Sequence, residues 1–298
     1  MKKQKKDVYD IVTDKVISLL EAGVNPWNCG FKKGYAFSRP TNHKSKKAYR
    51  GLNYFLLSCA PFSSPLWLTF KQAKELGGTV KKGEKSWPVI YWNWVFVDAD
   101  GKRVADESKA KKKLPFLRYY NVFNTEQIEG IEIKLPKPPE LTEHEKIEAC
   151  EKVVAGYKNP PKITIRGEQP CYSPARDEVQ MPDIGLWDKA EEYYSVTFHE
   201  LAHSTGHKSR LNREGITAKA AFGSKVYSKE ELVAEMTAAY LSNHCSIDGS
   251  TLDNSASYLQ SWIKVLKGDS RLVVNAAAAA QKAADHILGV THESKSEE

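Results

Sequence analysis

His199-Glu200-Leu201-Ala202-His203 decides how this chain reads. At 3.6 residues per turn the two histidines stand one turn apart on a single helix face, where both can bind one metal ion, and Glu200 stands beside the first. Zinc held there lowers the pKa of a bound water to about 7, and a neighbouring carboxylate accepts its proton during attack on a carbonyl. His199 and His203 are therefore candidate ligands and Glu200 the candidate catalytic base. Tyr194, Thr197, Phe198, Leu201 and Ala202 recur at helical intervals around the motif, which predicts an amphipathic helix from about Ala190 with Gly206 as its terminator.

A catalytic zinc site takes three protein ligands and leaves one position for water. His207 would extend the row, but on a continuous helix it lies ~12 Å along the axis from His199, too far for one ion. The other candidate is the stretch Ser228-Lys-Glu-Glu231-Leu-Val-Ala-Glu235-Met-Thr-Ala-Ala-Tyr-Leu241. Ser228 with Glu231 reads as a capping box opening a helix, Leu232, Val233, Met236, Ala239 and Tyr240 as its buried side, and Glu231 and Glu235 share a face. This spacing resembles peptidases in which a first carboxylate binds the metal and a second, one turn on, orients a ligating histidine. Glu231 is read as the third metal ligand and Glu235 as its outer partner or the alternative ligand. Zn2+ is the expected ion, with Mn2+ as the alternative given an oxygen donor. Pro170–Pro174 and Asp177–Pro182 predict two short extended runs, suited to an edge strand that could pair with a peptide. Tyr227 and Arg210 are candidate oxyanion donors.

With 298 residues and a net charge of +7, the chain is long enough for two domains with two cores. Residues 1–137 hold 26 Lys and Arg against 13 Asp and Glu, whereas the remainder holds 18 against 24. The expected division is a basic domain over residues 1–135, a Pro-rich linker at 136–141, a domain carrying the metal motif over 142–290 and a flexible tail at 291–298. Cys29, Cys59, Cys150, Cys171 and Cys245 are scattered, so neither a disulfide framework nor a cysteine metal knot is expected. The basic start lacks the apolar core of a secretory signal, and no run is long enough to span a bilayer. These features predict a cytoplasmic protein with no membrane partner.

The basic half opens with a predicted helix from Asp7 to Ala22, its stripe of Val8, Ile11, Val12, Val16, Leu19 and Leu20 ended by Gly23. Aromatic and basic residues then alternate: Trp27 and Tyr49 with Lys32, Lys33 and Arg50; Trp67 and Phe70 with Lys71; Lys81, Lys82, Lys85 and Trp87. Tyr91 to Phe96 and Arg118 to Asn124 predict strands, Trp92 and Trp94 are read as core, and Lys109 with Lys111 to Lys113 as a loop. Cations that follow phosphates and rings on which unstacked bases rest are what single-stranded nucleic acid requires.

Tyr49-Arg-Gly-Leu-Asn53, Trp67-Leu-Thr-Phe70, Val80-Lys-Lys-Gly-Glu-Lys85 and Tyr120-Asn-Val-Phe-Asn124 with Gln127 resemble the amino-terminal domain of ArdC-type antirestriction proteins, which plasmid primases share. His199 to His207, Tyr227 to Leu241 and Tyr258-Leu-Gln-Ser-Trp262 are similar to that family's metallopeptidase-like domain. The resemblance implies an α+β chain: a mixed α/β domain that binds single-stranded DNA, followed by a zincin-like metallopeptidase domain with an HExxH helix and a small sheet. It also implies carriage by a conjugative plasmid or other mobile element and protection of incoming DNA from host restriction. Candidate DNA contacts are Arg50, Asn53, Lys71, Lys81, Lys82 and Lys85, with Trp27 and Tyr49 as stacking rings. A protein substrate, either a host restriction protein or one bound or crosslinked to DNA, is a further expected partner. The alternatives are a DNA-coating antirestriction protein whose metal is not catalytic, and a DNA-dependent peptidase.

Overall fold

A computed structural model describes residues 7–27, 39–100, 102–104, 108, 110–135, 141–217, 225–247 and 256–291, and the fold is α+β as expected. The expected linker falls almost wholly outside the described residues, as do residues 292–298, Lys32, Lys33 and Lys109. Helix α1 (Val8–Glu21) begins where Asp7 accepts a hydrogen bond from the Val8 amide at 2.5 Å and ends before Gly23, whose φ of +75° suits a residue without a Cβ. Val12, Val16, Leu19 and Leu20 form its buried stripe.

In the amino-terminal half, β1 (Thr41–Asn42), β2 (Leu66–Thr69), β4 (Trp87–Val97) and β5 (Lys112–Asn124) make a sheet in the order β1-β2-β5-β4. A second, two-stranded sheet pairs β3 (Thr79–Val80) with β6 (Ile128–Glu129). Helices α2 (Leu52–Ser58) and α3 (Phe70–Glu75) complete this half; Thr69 and Gln72 form a reciprocal cap that turns β2 directly into α3. Lys112 and Lys113, read as loop, are instead the first residues of β5, paired with Val97 and Phe96. Cys59 is disulfide-bonded, contrary to the expected absence of cross-links, and its partner lies outside the described residues.

In the carboxyl-terminal half, α4 (Glu143–Gly156) precedes β7 (Lys162–Ile165), β8 (Cys171–Ser173) and β9 (Glu178–Met181). The sheet order is β7-β9-β8, so only one of the two expected runs, β8, is an edge strand. Its partner β9 lies at the centre, with Val179 and Met181 fully buried, and the other edge is β7, whose short and largely exposed sequence gave no signal. Then come α5 (Ala190–Ser204), α6 (Glu214–Thr217), α7 (Lys225–His244), α8 (Ala256–Gly268) and α9 (Leu272–Ile287). Helix α5 packs on β8 and β9 and on α7, and α7 packs in turn on α9.

The metal-motif helix therefore sits in the middle of a layered stack, with Phe198, Leu201 and Ala202 at 0% exposure. Gly206 does not end it through a left-handed conformation, since its φ is not positive. A Cβ at Gly206 would approach Ile216 Cγ1 to 2.5 Å, so this position needs glycine because α6 comes close. Helix α7 begins a turn earlier than read: Ser228 is inside it, not its cap, and Glu231 is released from the expected capping role. The two expected cores are one. A single buried cluster joins Val12, Trp27 and Phe55 to Phe198, Tyr240, Trp262 and Ala277, while Leu68, Ala73 and Ile128 form a small satellite. Trp27 meets Trp262 edge to face with centroids 5.6 Å apart, and Arg50 pairs with Asp285 at 2.6 Å.

Candidate metal centre and nucleic-acid surface

One turn of α5 brings His199 Nε2 and His203 Nε2 to 3.1 Å of one another. Helix α7 crosses beside them and presents Glu231, whose carboxylate oxygens lie 3.7 Å from each of these nitrogens. Four ligands at about 2.0–2.2 Å around a tetrahedral ion are separated by roughly 3.3–3.6 Å, so this triangle has the size of a metal site. Among the described residues, this is the group of His, Cys, Asp and Glu side chains whose ligand atoms converge, within 4.8 Å. Burial alone would lower the His199 pKa, but Glu231, Glu200 and Glu235 around it outweigh that and raise it. A pocket that negative draws a proton or a metal cation. Glu200, 9% exposed, is one residue along α5 from His199. The donor set of two imidazoles and a carboxylate fits a divalent ion.

Sequence reading missed Glu230. Its Oε1 lies 3.4 Å from His203 Nδ1, the ring nitrogen pointing away from the triangle, and its carboxylate receives Arg213 Nη2 at 2.5 Å and Nε at 3.0 Å. Arg213 also donates to the Ala202 carbonyl at 2.8 Å and to Thr205 Oγ1 at 2.5 Å, tying down the carboxyl end of α5. Burial would raise the Glu230 pKa, but Arg213 and His203 pull it below the ordinary carboxylate value. The signal was an acid next to the candidate ligand Glu231: a helix places it about 100° round, toward the second histidine. Removing one partner of a buried ion pair costs about 3–5 kcal/mol. Glu230→Ala is accordingly expected to destabilise the chain by that order, read as a lowered urea midpoint.

Glu235 lies one turn beyond Glu231, 7% exposed, and accepts a hydrogen bond from Tyr258. Burial pushes its pKa up to about 7, against the Tyr258 hydrogen bond and the nearby His199. His199 Nδ1 is buried and makes no hydrogen bond within the described residues. The ring-orienting contact read for Glu235 is thus, at His203, made by Glu230. Trp27 Nε1 donates to Tyr258 Oη at 3.4 Å, so the chain from Glu235 ends in the amino-terminal half.

Other readings are redirected. Arg210 cannot serve an oxyanion: its side chain is 0% exposed and spent on Asp177 and the Ser204 and Asn159 carbonyls. His207 turns to Ser209 at 2.8 Å and does not join the triangle. The Tyr227 side chain lies outside the described residues, as do those of Trp92 and Trp94.

The DNA candidates divide. Trp27, at 2% exposure, is core and offers no face to a base. Asn53 is a structural clamp: its amide donates to the Ile90 carbonyl and accepts from the Ile90 amide, both at 2.7 Å, as a paired strand would. Arg50 is held by Asp285. Tyr49 is half-buried, its hydroxyl 3.4 Å from Asn42 Nδ2. Lys71 is exposed with Glu75 at 3.8 Å, Lys81 reaches the Glu126 carbonyl at 2.8 Å, and Lys82 and Lys85 are exposed.

Residues 6–123 match the model of the N-terminal domain of anti-restriction factor ArdC, and residues 148–279 that of a zincin-like metallopeptidase. A protein of Sinorhizobium fredii, y4eC, is 34% identical over 94% of this chain and 91% of its own length. The DNA primase TraC of Escherichia coli is also 34% identical, over 97% of this chain; the match spans only 28% of that larger protein. Crystal structures of the antirestriction ArdC protein from plasmid R388 superpose with TM-scores of 0.74 for the metal-free form and 0.73 for the Mn(II)-bound form. Both are 33% identical to this chain and cover 96% of it and 98% of their own.

Proposed function

Because this chain belongs to the ArdC family of antirestriction proteins, we propose that it protects the DNA of a conjugative plasmid or other mobile element from host restriction, binding it single-stranded and carrying a metal-dependent peptidase centre. The observation that supports this most is the convergence of His199, His203 and Glu231 next to Glu200. In this reading the two histidines and Glu231 hold the ion, which is zinc, with manganese the alternative that the Mn(II)-bound relative brings forward. A divalent ion in that place supplies a Lewis acid and a water of lowered pKa. Glu200 takes the proton from the attacking water and delivers it to the leaving amine. Glu230 and Arg213 fix the His203 ring, and Glu235 ties the ligand helix α7 to Tyr258 of α8.

The amino-terminal half holds the single strand. A protein substrate on the same strand, a restriction protein or another DNA-bound protein, then meets the centre at a raised effective concentration. The work is done in the cytoplasm, where incoming DNA meets host restriction. No helix among the described residues is long and apolar enough to cross a membrane. The test is plasmid transfer into a restricting host with wild type and Glu200→Ala. Lost protection with DNA binding retained is expected; full protection by the variant would instead favour DNA coating.

A further inference from the structure

Strands β4 and β5 pair over eleven positions, from Trp87↔Val122 to Val97↔Lys112, while β2 reaches only Val122 to Asn124 of β5. Below Val122, β5 keeps β4 as its one strand neighbour among the described residues, and although Trp87, Val89 and Val97 of β4 are buried, Arg118, Tyr119, Tyr120 and Asn121 of β5 are all exposed in succession. Three tyrosines cluster there: Tyr91 at 38%, Tyr119 at 42% and Tyr120 at 45% exposure. Register places Tyr91 directly opposite Arg118. Side chains alternate across a strand, so Tyr120 and Lys112 share that face with Tyr91 and Arg118, and Tyr119 occupies the reverse. The Tyr91 and Tyr120 rings sit 6.1 Å apart at an interplanar angle of 77°.

Large rings left in water on a strand pair need a reason, because a ribbon without a function of its own would carry polar residues there. Strand addition to the outer edge of β4 is blocked at Ile90, where Asn53 already satisfies both backbone groups. Charge points elsewhere: residues 1–137 hold 26 basic against 13 acidic side chains. Cations interleaved with exposed rings suit a polyanion whose bases are unstacked, and in a duplex those base faces are closed to a ring.

We infer that the β4–β5 ribbon is the base-stacking surface for single-stranded DNA, with Tyr91 and Tyr120 as stacking rings and Arg118 as a phosphate contact. This rests on the single-strand reading above and moves its contacts away from Trp27, Arg50 and Asn53, which the fold itself uses. The strand lies along the ribbon on the face of Arg118 and Tyr120.

Fluorescence anisotropy of the full chain with labelled oligothymidylate tests it. Tyr91→Leu and Tyr120→Leu are each expected to weaken binding by about 5–150-fold, the effect of one lost base stack, while Tyr91→Phe and Tyr120→Phe keep the ring and the affinity. Arg118→Gln should lower the slope of log affinity against log salt by about 0.7. All these positions are exposed, so unchanged urea midpoints confirm that folding is not what moved. If wild type binds and the leucine variants bind equally well, or if a duplex competes as well as the single strand, the ribbon assignment falls and the single-strand reading is judged on its own. If wild type does not bind oligothymidylate, that reading falls and this inference with it.

Discussion

Glu200→Gln is expected to lower hydrolysis of a protein substrate by about 10²–10⁴-fold while the bound metal stays in place, the range that removal of a positioned general base produces. The geometry separates the two quantities. Glu200 precedes Leu201 on α5 and is not one of the three converging ligands, so its loss takes away a proton acceptor and no donor atom. Glutamine keeps the shape of the buried side chain, at 9% exposure, and adds no cavity. Cleavage should be followed by mass spectrometry with single-stranded DNA present, and metal content by elemental analysis of the same preparation. Equal turnover in variant and wild type would remove Glu200 from the chemistry.

The second large effect separates the two acids of α7. Glu231→Gln removes the proposed third ligand, and metal affinity should fall by more than the 10–100-fold typical of an outer partner; Glu235→Gln should stay within that range. The reason is distance and company. Glu231 places an oxygen 3.7 Å from each histidine nitrogen, whereas Glu235 is spent on Tyr258 and its burial raises its pKa to about 7. A nearby divalent cation favours its charged form, so Glu235 can still assist binding at neutral pH. Competition with a chromophoric chelator gives both affinities. Equal retention of metal by both variants would sink the assignment of Glu231 as third ligand.

What was legible in the sequence was whatever a helix repeats locally. His199 and His203, Glu231 and Glu235, and the apolar stripe of α1 with Asp7 before it and Gly23 after it all follow from 3.6-residue geometry. What escaped were partners far apart in the chain. Nothing near Trp27 says that Trp262 will cover it, nothing near Arg50 announces Asp285, and nothing near Asn53 announces the open edge of β4 at Ile90. Each of those residues carried the right chemistry for nucleic acid and was already committed to the fold. Glu230 escaped for a different reason: as one of two adjacent acids, it is told from Glu231 only by the angle at which α7 crosses α5. Tyr91, Tyr119 and Tyr120 were noticed only as parts of strands, because exposure on a ribbon depends on where the neighbouring strand β2 stops.

The single buried cluster reaches into inheritance. Helix α1 lies on α8 and α9, Trp27 on Trp262, and Tyr54 and Phe55 on Tyr240, so each half supplies a wall of the other's interior. Recombination among mobile elements could exchange a freely hinged module intact, but a foreign half grafted here would bring a face that does not match, leaving voids and bared tryptophan. A chimera that keeps one half and replaces the other is expected to unfold at a lower urea midpoint than its parent. A void opened at Trp262 is felt at Trp27, more than two hundred residues away in the chain.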